Sequence, residues 1–169
     1  MNLLGWIHVI AAGAAIASGA VVLFLRKGNR RHRRLGWIYA TSMAVLNISA
    51  LMIYRLFGGF GPFHAFAIVS LVTVGLGVAT AVRRRDADWV ERHYMWVTYS
   101  YVGLLAAAAS EISTRWVQTK FWWAVLIATA AVFAIGSTWI RKRKNATLAP
   151  FRHLPPRTPR APAGDAAAD

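Results

Sequence analysis

The sequence predicts an all-α fold, a polytopic transmembrane bundle of about five helices with its N-terminus outside and its C-terminus in the cytoplasm. Three observations predict it. The chain of 169 residues is 57% hydrophobic and only 15% charged, too apolar for a soluble domain of this length. Its apolar residues gather into five runs, each long enough to cross a hydrocarbon layer roughly 30 Å thick as a helix rising about 1.5 Å per residue. Its basic residues are confined to segments that flank those runs, dense on one side and sparse on the other.

The densest short segment is Arg26 to Arg34, reading RKGNRRHRR. Short loops this basic remain on the cytoplasmic side of a bilayer. Together with residues 83–92 and the stretch after Ile140, it holds all of the 20 Lys and Arg residues except Arg55, Arg115 and Lys120, which fall on the opposite side. That asymmetry sets the orientation, N-out and C-in. The implied compartment is a bacterial inner (plasma) membrane, crossed several times. The formal net charge of +14 is therefore topological rather than a nucleic-acid footprint, and the expected partner is a bilayer with anionic head groups on its cytoplasmic side.

The spans are expected at Leu3 to Leu25, Leu35 to Tyr54, Pro62 to Val82, Tyr94 to Ser110 and Phe121 to Ile140. Backbone polar groups in lipid must pair internally, which leaves helix for runs of this kind. The first run lacks a basic leader and is too long for a signal-peptide core, so it is expected to be retained. Pro62 suits the first turn of a helix, where its missing N–H would be unpaired anyway. The bundle is expected to occupy residues 1–144. Residues 145–169, rich in proline and without apolar periodicity, are expected to form a disordered cytoplasmic tail.

Several polar residues recur at helix ends. His8 and His64 stand near the outer starts of their helices, and His32 and His93 near the inner starts of theirs. His8, Ala12, Ala15 and Gly19 share one stripe, so His8 is expected to face the bundle. Asn47 lies about two turns below the outer surface, with Arg55 at the boundary. His93, Ser100, Ala107 and Glu111 share a face of the fourth helix, with Glu111 roughly 27 Å from His93. An intramembrane carboxylate is costly and marks a candidate site, although a structural pair with Arg115, four residues on, or with Arg55 is an equal alternative. His32 sits among four arginines and is expected in a solvated loop.

The motifs Lys27-Gly28 with His32-Arg33 and Gly36, then Gly61-Pro62-Phe63-His64, then His93-Tyr94-Met95, and finally Arg115 resemble a family of bacterial predicted membrane proteins, domain-of-unknown-function family 2306. The resemblance covers about residues 5–115. It implies an integral membrane protein with histidines at helix starts and assigns no activity. Glu111 stands outside the pattern.

Three functions are compatible with these residues. One is a haem- or metal-associated redox membrane protein, since paired histidines on facing helices can hold haem b from both sides. For haem, the outer pair His8 and His64 is the attractive one, with Asn47, Arg55 and Arg115 nearby; for a transition metal, His8, His64 and Glu111 form the expected ligand set. The second is a small transporter-like protein, which with only five helices would need a homodimer or a larger membrane complex. The third is a structural or assembly subunit whose polar groups only hold helices together. Cysteine chemistry is excluded because the chain has none, and soluble hydrolase chemistry finds no support, since no phosphate loop, nucleophile elbow or paired-carboxylate motif is present.

Overall fold

The computed structural model describes residues 2–54, 58–116 and 120–151. It contains five α-helices: α1 (Leu3–Phe24), α2 (Arg30–Leu51), α3 (Pro62–Arg83), α4 (Trp89–Trp116) and α5 (Phe121–Leu148), followed by a 3-10 turn over Ala149–Phe151. No strand occurs among the described residues. Three of the helices, α1, α3 and α5, are long and apolar enough to cross a membrane by length and composition.

Helices α1 and α2 start at a side-chain cap. Asn2 accepts from the Gly5 N–H at 3.0 Å, and Asn29 accepts from the His32 N–H at 2.7 Å. Pro62 occupies the first turn of α3 behind Gly61. The Asn29 cap corrects an expectation. It begins α2 at Arg30, inside the basic run, so His32 belongs to the helix's first turn and not to a loop.

Each helix packs on the next, and α1 also meets α4, which closes α1 to α4 into a ring. The ring encloses Ala11, Ala15, Tyr39, Met43, Leu46, Val74, Tyr101 and Leu104. Close approach is fixed by small residues: a Cβ on Gly19 would stand 2.5 Å from the Tyr101 ring, and one on Gly77 would stand 2.7 Å from Val97. Outside the ring, α5 packs on α4 through Tyr94, Val102, Ile140 and Leu148. Large apolar side chains such as Ile10, Phe24, Val69, Ile127 and Ile135 point outward, as lipid-facing surfaces require.

Helix α5 runs past Lys144 to Leu148 without a break. Lys144 pairs with Glu91 of α4 at 2.5 Å, and Leu148 is buried. The first part of the expected tail is thus folded onto the basic end of the bundle. Residues 152–169 lie outside the described residues.

Candidate functional site

At the basic end, a cavity of about 560 Å³ opens between the last turns of α1 and α3, the first turns of α2 and α4, and the end of α5. Its walls are mostly aliphatic and aromatic, with Lys27, Arg33 and Arg84 also in the lining. A volume on this scale is typical of ligand pockets, about 300–1,000 Å³.

Two histidines meet there. The rings of His32 and His93 stand with centroids 6.4 Å apart and planes perpendicular. His93 Nδ1 lies 2.7 Å from the Gly77 carbonyl oxygen. A carbonyl can only accept, so Nδ1 carries the proton and the neutral ring keeps its lone pair on Nε2. The close α3–α4 crossing at Gly77 is what brings that carbonyl within reach. His32 Nδ1 is buried without a hydrogen-bond partner. Burial, with Lys27 and His93 nearby, holds the His32 pKa down to about 4 from an ordinary 6.5, and burial also lowers that of His93. Both rings are therefore neutral at pH 7, the form in which imidazole ligates metals.

Hydrogen bonds and a ring contact hold other side chains in and around the lining of the cavity. On its floor, the Tyr39 hydroxyl bonds Ser100 Oγ at 2.8 Å. Lys27 Nζ donates to the Val22 and Leu23 carbonyls at 2.8 and 2.7 Å, closing the end of α1. Arg84 adopts a left-handed backbone, φ 47°, and lays its guanidinium over the Trp89 ring at 4.6 Å. The Trp89 Nε1–H is buried without an acceptor.

The residues at the opposite end of the bundle are arranged differently. His8 Nδ1 lies 3.1 Å from Ser49 Oγ, whose own hydrogen goes to the Leu46 carbonyl at 2.8 Å, so His8 is the donor. Asn47 donates to the Met43 carbonyl and to Ser70 Oγ. His64 is 4% exposed, and its Nδ1 accepts from the Gly61 N–H at 3.1 Å. Its ring is flanked by Tyr54 and Phe60, with centroids 4.8 and 5.2 Å away. Glu111 pairs with the exposed Arg115 at 2.6 Å, the structural alternative anticipated for it. Arg55 lies outside the described residues. The transition-metal set His8, His64 and Glu111 does not assemble: among the described residues, no three His, Cys, Asp or Glu side chains gather to hold an ion. The reason is local, because each of the three is engaged by a partner on its own or the adjoining helix.

The predicted membrane protein family DUF2306 matches residues 5–149 of this chain. The chain belongs to that family. No curated relative and no solved structure matches significantly. The family match takes in α2 to α5, α1 from residue 5 onward, and all of the lining of the cavity at the basic end except Phe151.

Sequence reasoning missed the inner pair, although two signals were present. Asn29 stands three residues before His32, the spacing of an N-cap, and Tyr39 stands seven residues after it, on the same helical face. Both imply a helical, inward-facing His32.

Proposed function

We propose that this DUF2306 protein is a multi-pass plasma-membrane protein, with all five helices spanning and the C-terminus inside, that holds a metal cofactor between His32 and His93 at its cytoplasmic face. The observation that carries the reading is the facing pair of neutral imidazoles at 6.4 Å in a cavity, one with a free Nε2 lone pair and one with an unpartnered nitrogen. Anchoring of His93 through Nδ1 to a backbone carbonyl supports it, because ligating histidines are oriented in this way. The basic asymmetry of the chain supports the orientation.

Two experiments test it. Alkaline phosphatase fused after Gly59 is active and fused after Ile140 is inactive; the reverse would move the cavity outside. Elemental analysis of detergent-purified protein finds stoichiometric transition metal in the wild type and in His8→Ala, and little in His32→Ala or His93→Ala. Metal that survives both inner substitutions, or is absent from the wild type, defeats the reading.

A further inference from the structure

We infer that the cofactor is a haem-type macrocycle, with His32 and His93 supplying its two axial ligands; the inference rests on the metal-cofactor reading above and names what is bound.

Ligand number comes first. A bare zinc or copper ion needs about three or four protein ligands. Among the described residues no third acidic or imidazole group joins the histidine pair. A tetrapyrrole brings its own four nitrogens and leaves only two axial positions for the protein, the number available here.

Spacing agrees. A metal–imidazole bond of about 2 Å puts the ring centre about 3 Å from the metal, so rings on opposite sides of one ion stand about 6 Å apart, whereas a tetrahedral pair closes to about 5 Å. The observed separation is 6.4 Å.

The surroundings suit a flat apolar ring with acidic substituents and would be superfluous for a lone ion. The cavity of about 560 Å³ is lined by side chains such as Val74, Val97 and Trp139, and its lining also includes Lys27, Arg33 and Arg84. The exposed Arg33 and Arg84, with the one Lys27 donor left over from the Val22 and Leu23 carbonyls, match two propionate carboxylates. Arg84 takes the left-handed C-cap position that ends α3, and that turn carries its guanidinium over Trp89 beside the cavity.

The test uses the full chain, expressed with a haem precursor and purified in detergent, and read by absorption spectroscopy and haem extraction. The wild type shows a Soret band, with the sharp visible bands of six-coordinate low-spin haem after dithionite reduction. His32→Ala and His93→Ala lose that signature and at least tenfold of the retained haem, while His8→Ala and His64→Ala keep both. Because alanine at a core position can unfold the bundle, His93→Met is made in parallel. It preserves a sixth ligand and yields folded low-spin protein with a raised reduction potential. Stoichiometric metal without a Soret band overturns the macrocycle and leaves the metal-cofactor reading standing. Neither metal nor haem overturns both, and haem lost from the outer variants but kept in the inner ones overturns the site.

Discussion

The two ends of the bundle use the same residue in opposite ways. His32 and His64 each occupy the third position of a helix and each keeps one buried nitrogen without a partner, Nδ1 in His32 and Nε2 in His64, yet only the His64 ring also accepts from its own backbone. The N-cap makes the difference. Asn29 caps α2 with its own side chain, which leaves the His32 ring free. Gly61 has no side chain, so the His64 ring folds back to accept the Gly61 N–H, and its remaining proton sits on a buried Nε2. A neutral His64 in this state offers a donor and no lone pair. The lesson is that the residue three places earlier decides whether a helix-start histidine can ligate.

The most damaging way to break the inner site is to remove its cover. Truncation after Lys144 deletes Thr147, Leu148 and Phe151, which line the cavity, and a buried leucine lost from a core costs about 2–5 kcal/mol. Truncation after Phe151 spares all three. Cofactor retention and melting temperature in detergent are expected to collapse for the first and to hold for the second; equal behaviour would remove α5 from the site.

Next in size is the α3–α4 crossing. In Gly77→Val, the new side chain meets Val97, which stands 2.7 Å from the position of a Cβ, so a loss of about 1–3 kcal/mol is expected together with displacement of the carbonyl that orients His93. In α1, Gly13→Ala has open space around its Cβ and is expected to leave the melting temperature unchanged or raise it.

Acid separates the ends as well. His32 has a folded pKa of about 4 against 6.5, so the native state excludes a proton that the unfolded chain takes up. Stability from this group is complete above pH 6.5 and declines as pH falls from 6.5 toward 4. Melting temperatures that stay flat between pH 6.5 and 4 would show that His32 is not buried as a neutral ring.

The caps give a smaller and more pointed comparison. Asn29→Ala should cost about 1 kcal/mol and loosen cofactor binding through His32. Gly61→Asn supplies α3 with a cap and frees the His64 ring, with little stability change and no effect on the inner site. The smallest effect belongs to Glu111→Gln, which breaks an exposed pair worth about 0.3–0.5 kcal/mol. Combined with His64→Ala, it should be additive; strong coupling in that double-mutant cycle would revive a shared outer site.

The sequence by itself determined the class of the fold. Apolar runs of bilayer length and a one-sided distribution of arginine act through the chain's local composition, so membrane character, helix number and the Pro62 start were legible without coordinates. It also supplied the stripe of His8, Ala15 and Gly19 and the alternative pairing of Glu111 with Arg115, since both follow from helical spacing. Which histidines meet was decided only by tertiary structure. The pairing of His32 with His93 depends on α2 beginning inside the basic run, on the α3–α4 approach at Gly77 that turns His93, and on α5 folding Leu148 over the cavity. Each is a contact between segments distant in sequence or a cap whose strength competes with solvation of a charged run. Periodicity records which face of a helix a residue occupies, and the partner across from that face is set by packing.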